Sequence, residues 1–145
     1  APSWANTQCW EVIVVRDPAA KEKLQASFPP KGNPAHSAMV QAPVVLVLCA
    51  KTKSSGYYKD LPATKFGEWM MYDLGIAGQN ICLMAHSLGL ATVVVGLFEH
   101  DKAAEAMQLP AGYELVTMIP LGYPAKSSSA PKRREIAEFV HYDRW

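Results

Sequence analysis

The run APVVLVLCA, residues 42–50, constrains the fold more than any other stretch. It is apolar throughout, with no alternation of polar and apolar positions. A strand of that kind has both faces out of water, so it needs a covering layer on each side. Three other segments read as strands: WEVIVV at 10–15, ATVVVG at 91–96 and YELVTMIPLGYP at 113–124. The spacers carry helical signals. Asp17 before Pro18 reads as an N-cap followed by the first helical position, opening AAKEKLQASF. Apolar residues recur at helical spacing from Asp73 to Leu88, and HDKAAEAMQL at 100–109 runs into Pro110. The order strand, helix, strand, helix, strand, helix, strand predicts an α+β, three-layer α/β/α sandwich around a small mixed sheet of four strands. PPKGNP at 29–34 breaks the chain. KTKSSGYYKDLP at 51–62 reads as a flexible basic loop, KSSSAPKRR at 126–134 as a second, and EIAEFV as a last helical turn before the tail.

With 145 residues, the chain fits a single domain spanning 1–145. Fourteen basic residues against thirteen acidic ones leave no global field pointing to nucleic acid or an anionic membrane. No apolar run reaches the ~18 residues of a membrane span. Cys9, Cys49 and Cys82 are odd in number, far apart and without metal-ligand spacing, so they read as free thiols in a reducing compartment. No signal peptide is visible, and the expected location is cytoplasmic.

LMAHSLGLATVVVG, residues 83–96, contains Ala85-His86-Ser87-Leu88-Gly89, a near-match to a hydrolase nucleophile elbow. An elbow needs a strand before its serine and a helix after it. Here a helix precedes Ser87 and three valines follow. A serine hydrolase using Ser87 is therefore the remote alternative. The preferred reading has His86 in the last helical turn, Gly89 as the stop and Leu90 folding back, with a buried strand following at 91–96.

Four ordered segments resemble the FMN-dependent nitroreductase family. APSWANTQCW is similar to the family's Pro-Ser-x-x-Asn-x-Gln-Pro-Trp segment, with Cys9 in place of the proline. DLGIAGQNICLMAHSLGLATVVVGLF resembles its central helix, Gly-Leu stop and flavin-side strand. LPAGYELVTMIPLGYP and KRREIAEFVHYDRW resemble its Leu-Pro-x-Gly-Tyr…Gly-Tyr-Pro segment and its C-terminal arginine turn with an aromatic tail. The family's N-terminal helix pair, with an Arg-Arg-Ser-type motif for the FMN phosphate and ribityl chain, has no counterpart here. The domain is therefore expected to be N-terminally incomplete. Either the chain is a fragment, or the missing part is supplied elsewhere, or flavin binding is weakened or lost.

The resemblance implies an NAD(P)H oxidoreductase that reduces nitroaromatics, quinones or related small acceptors through FMN in ping-pong fashion. The alternative is a flavin-binding or degenerate member without turnover. It also implies a homodimer with the long helix as a main contact, where Gly75 and Gly78 permit close approach. Neither nucleic acid nor membrane is an implied partner. Asn6, with Pro2 and Ser3, would meet the flavin ring edge; the plainer reading of Asn6 is a turn cap, and Gln8 could orient the loop. Backbone N–H groups of Gly96 and Leu97 would face the hydride-accepting nitrogen, or Gly96 is simply a strand-end glycine. Arg133, supported by Lys132 and Arg134, would hold the phosphate, or the run is a solvated face. No side chain acts as a catalytic nucleophile and no metal is implied. Trp69, Tyr72 and the Tyr57–Tyr58 pair would line the substrate opening, or Trp69 and Tyr72 belong to the core.

Overall fold

The structure, a computed structural model, describes residues 1–29, 32–126 and 129–145. A 3-10 turn at Trp4–Asn6 leads into β1 (Trp10–Val15), α1 (Pro18–Gln25), α2 (Ala38–Gln41) and β2 (Val44–Lys51). A small hairpin of β3 (Tyr57–Tyr58) and β4 (Leu61–Pro62) precedes α3 (Met70–Ser87). Then come β5 (Ala91–Thr92), α4 (His100–Ala106), β6 (Tyr113–Gly122) and a 3-10 turn at Ile136–Glu138. Positions 30–31 of the expected break and 127–128 of the expected loop lie outside the described residues.

The uniformly apolar run behaves as its composition demands. β2 lies inside a four-stranded sheet ordered β1-β2-β6-β5. Its Val45, Val47 and Cys49 point to a core shared with Leu24 of α1, Met39 of α2 and Ala103 of α4. Its Leu48 and Ala50 point the other way, into a core with Leu74 of α3 and Ile119 of β6. Successive strand residues face opposite sides, so one strand feeds two cores and the molecule has three layers. A register shift between Leu48 and Cys49 against β6 lets both strands keep both faces filled.

The sheet departs from expectation in direction. Every strand pairing among the described residues is antiparallel, so the sheet is not mixed. Alternation of strands and helices yields parallel strands only when a helix carries the chain across to the opposite end. Here the connection between β1 and β2 holds two short helices and returns to the end from which it left. Long excursions containing α3 and α4 separate β2 from β6 in sequence with the same result.

Three local expectations also change. Residues 91–96 do not form a buried strand: only Ala91–Thr92 pairs continuously, with one further bridge from Val95 to Met118. Val93 and Val94 are 47% and 64% exposed because the segment is the sheet edge and no layer covers it. The 51–62 loop is folded instead of flexible. It carries the β3–β4 hairpin, its Ser55 is fully buried, and the Lys53 N–H donates to Glu68 Oε2 at 3.0 Å. Finally, α3 begins at Met70, ahead of the clear part of the periodicity, because Met71 and Tyr72 face outward and do not join the apolar stripe.

The helix ends follow the local code. Asp17 Oδ2 accepts from the Ala20 N–H at 2.8 Å, with Pro18 as first residue of α1. Gly89 takes φ +74°, its N–H donates to the His86 carbonyl, and the Leu90 N–H donates to the Ala85 carbonyl at 2.9 Å. This is the Schellman pattern that a C-terminal glycine permits. Asp17→Ala should cost about 1 kcal/mol, read as a lower thermal midpoint with an unchanged far-ultraviolet spectrum. Among the described residues, no helix is long and apolar enough to cross a membrane.

Candidate functional site

The N-terminal loop is held by side-chain tethers as well as by its short 3-10 turn. The Gln8 N–H donates to Ser3 Oγ at 2.9 Å, and Gln8 Nε2 donates to Asn6 Oδ1 at 3.1 Å. Gln8 thus orients the loop, and Asn6 is held through its own oxygen, with no turn capped by it. Ala5, Asn6 and Gln8 all have left-handed backbones, with φ of 45°, 53° and 49°. For Ala5 and Gln8 this costs about 1–2 kcal/mol each, so this shape needs an outside support.

The support is Asp73, which the sequence reading left without a role. Its side chain is 1% exposed in the first turns of α3. The Trp4 N–H donates to both carboxylate oxygens, at 3.1 and 3.2 Å. The Ser55 hydroxyl donates to Oδ2, and the Cys9 thiol approaches the same oxygen at 3.6 Å. Burial, then the charge and hydrogen bond of Asp73, push the Cys9 thiol up to about 11, so it stays protonated and able to donate at neutral pH. The α3 N-terminus adds a favourable partial charge. The signal in the sequence is that Asp73 is the one Asp, Glu, Lys or Arg of α3.

Across the face of α3 from this loop's anchor runs the sheet edge. A largely apolar concavity of about 390 Å³ lies between α3 and the sheet edge, lined by Leu74, Gly75, Gly78, Cys82, Val94 and Gly96 among others. A Cβ built on Gly96 would meet nothing within 4 Å, so the backbone there opens on free space. Among the described residues, neither the Gly96 nor the Leu97 N–H meets an acceptor. The Leu97 carbonyl is tied down by Asn33 Nδ2 at 2.9 Å. Asn33, another residue the sequence reading passed over, thereby fixes the strand exit.

The remaining candidates fall in two groups. Pro2, Ser3 and Asn6 share the loop anchored on Asp73, and Gly96 and Leu97 share the sheet edge; both segments border α3. Arg133 is not brought to either. It lies with Lys132 and Arg134 in residues 129–145, all of them exposed, whose backbone hydrogen bonds are local, such as Val140 N–H to the Ile136 carbonyl. Trp69 is half-buried, donates from Nε1 to Thr64 Oγ1 at 2.7 Å and packs edge-on against Tyr72, which is exposed and so not core. Gly78 serves packing within the chain, its Cβ position 3.4 Å from Leu48 Cδ2, whereas the Gly75 position is open. Ser87 sits at the end of a helix with its hydroxyl donating to the Met84 carbonyl at 2.7 Å. That is no strand-to-helix elbow, and Ser87 has no nucleophile geometry.

Residues 29–123 match the model of the nitroreductase family. The chain belongs to the nitroreductase family. A relative from Methanothermobacter thermautotrophicus, which bears the name NADH dehydrogenase/NAD(P)H nitroreductase, is 30% identical over 99% of this chain and 70% of its own length. The fold is shared with solved members. A nitroreductase family protein from Streptococcus pneumoniae superposes with a TM-score of 0.83 over 97% of this chain and 82% of that one, at 18% identity. An FMN-dependent nitroreductase from Clostridium difficile gives 0.79 over 100% and 81%, at 22% identity. As a member of this family the chain is an oxidoreductase.

Proposed function

We propose that this nitroreductase-family chain is an FMN-dependent NAD(P)H oxidoreductase that works as a homodimer and passes electrons to nitroaromatics, quinones or related small acceptors. The observation that carries the reading is the pair of N–H groups at Gly96 and Leu97, without an acceptor among the described residues, on the sheet edge beside an apolar concavity with no Cβ in the way. An isoalloxazine ring needs an apolar bed, N–H donors toward its central nitrogen and an amide or loop at its polar edge. In this reading the concavity would serve as the bed, the Gly96–Leu97 backbone as the donors, and the Asn6 loop, which borders α3 elsewhere, as the polar edge. The family relative named for NAD(P)H and the structural neighbour named for FMN support the same reading.

When bound, FMN supplies the hydride chemistry between reductant and acceptor. The chain supplies placement. Gly96 and Leu97 offer pre-oriented donors whose position costs no reorganisation during reaction. Leu74, Val94 and Ile119 line the concavity and would shield a bound ring from water on that side. Arg133 offers a planar fork suited to a phosphate, on the exposed 129–145 segment. No acid, base or nucleophile among the side chains is required.

Titrating the purified chain with FMN tests this reading. The expected results are saturable quenching of flavin fluorescence and bleaching of the yellow complex by NADH or NADPH. Arg133→Ala should weaken FMN binding about tenfold, the loss of one charge-assisted hydrogen bond. A chain that takes up no FMN at any concentration overturns the reading, and an unchanged affinity in Arg133→Ala removes that residue from the site.

A further inference from the structure

We infer that Asp73 is a positioning residue for the redox centre, acting through the Ser3–Cys9 loop; this rests on the flavin reading above. Four facts converge on it. Its carboxylate is 1% exposed, so its hydrogen bonds are not shared with bulk water. Its three donors come from two pieces of chain: the Trp4 backbone and the Cys9 thiol near the two ends of the N-terminal loop, and Ser55 of the loop before the hairpin. No cation lies among these partners, so the donors alone, with the α3 N-terminus, offset the cost of burying the charge. And the residue it grips, Trp4, opens the turn whose next residues Ala5, Asn6 and Gln8 are all left-handed.

A loop of that shape does not hold itself. The Ser3–Gln8 and Asn6–Gln8 hydrogen bonds are both internal to the loop. They set its shape without fixing its place on the molecule. Trp4 to Asp73 is the tether to the helix that also floors the concavity. A carboxylate suits the task because the Trp4 N–H lies between both oxygens while two further donors approach one of them. An amide would turn one acceptor into a donor facing donors. Asp73 touches neither Gly96 nor Asn6, so its effect passes through the loop.

The test uses the full chain and three variants, Asp73→Asn, Ser55→Ala and Asn6→Ala. Three readouts are taken: exchange of the Trp4 amide proton, FMN affinity, and the visible absorption band of the flavin at saturating FMN. In Asp73→Asn the Trp4 amide should exchange about tenfold faster and FMN bind about tenfold more weakly. The flavin band should move in the same direction as in Asn6→Ala, a change that lost stability alone does not produce. Ser55→Ala removes one donor from the same carboxylate and should show smaller changes of the same sign. Its result decides the matter if Asp73→Asn does not fold. Unchanged Trp4 exchange in whichever variant folds overturns the role. So does a native affinity and band in that variant when Asn6→Ala loses both. If Asn6→Ala itself binds FMN like the native chain, the flavin reading of the loop fails separately, while faster Trp4 exchange in Asp73→Asn still establishes the tether.

Discussion

Gly56→Ala is expected to unfold the chain or to cost it about 4 kcal/mol or more, a loss reserved for backbone strain combined with a hard clash. Gly56 has φ +86°, a region that an alanine Cβ resists. The added Cβ would also stand 2.1 Å from the Gly67 carbonyl oxygen and 2.7 Å from Trp69 Cδ1. The carbonyl is backbone and cannot swing aside as a side chain does. Any shift of Gly56 also pulls on its neighbours. The Gly56 carbonyl accepts from the Ala63 N–H, and the Ser55 carbonyl accepts from the Trp69 N–H. Ser55 in turn donates to Asp73. The damage therefore spreads from the hairpin loop to the anchor of the N-terminal loop. Gly67→Ala is the control. It too has positive φ, +65°, yet nothing lies within 4 Å of its Cβ position, so only the local strain of about 1 kcal/mol applies. Urea unfolding distinguishes the two. A Gly56→Ala midpoint within reach of the Gly67→Ala midpoint would show that the 51–69 excursion can relax.

What the sequence made legible tracks the range of the forces involved. Short-range signals read correctly: Asp17-Pro18 as a cap, Gly89-Leu90 as a stop, the apolar run 42–50 as a strand between layers. Each depends on residues within a turn or on a uniform burial pattern. Strand direction did not read, because whether the chain between β1 and β2 crosses the sheet depends on how α1 and α2 pack. The valines at 93–95 have strand propensity, but exposure of an edge is decided by what else covers it. Of the site, the loop and the strand exit were placed by resemblance. The structure adds the geometry around Gly96 and Leu97 and the tether at Asp73. Asp73 was missed because its partners stand 69, 18 and 64 residues away in sequence. Such contacts leave only an indirect trace, one acid in a neutral helix. Arg133 marks the opposite case, a residue chosen by resemblance that the fold of one chain leaves apart from the rest.

That separation bears on assembly. Apart from buried Asp73, α3 carries no Asp, Glu, Lys or Arg, yet Met71, Tyr72, Leu83, Met84 and Leu88 are all more than half exposed. A surface of exposed large apolar side chains on one helix needs a cover. The 129–145 segment, with Ile136, Phe139, Tyr142 and Trp145 exposed, has the same need. If a second copy covers α3, both needs are met, and Arg133 is carried toward a cleft that one chain does not complete. The native protein should then sediment at twice the mass of its chain and bury roughly 2,000 Å² or more, as obligate dimers do. The double variant Leu83→Asp/Met84→Asp should sediment as a monomer, because it removes about 1.5–3 kcal/mol of burial per side chain and sets like charges near one another across a two-fold axis. Neither position contributes to the core of the single chain, so helical content should remain native. FMN uptake should fall with the dimer, since the proposed Arg133 contact to the phosphate goes with it. A variant that stays dimeric and keeps its flavin places the contact on some other face. A variant that becomes monomeric yet binds FMN as tightly as the native chain shows that one chain holds the cofactor alone.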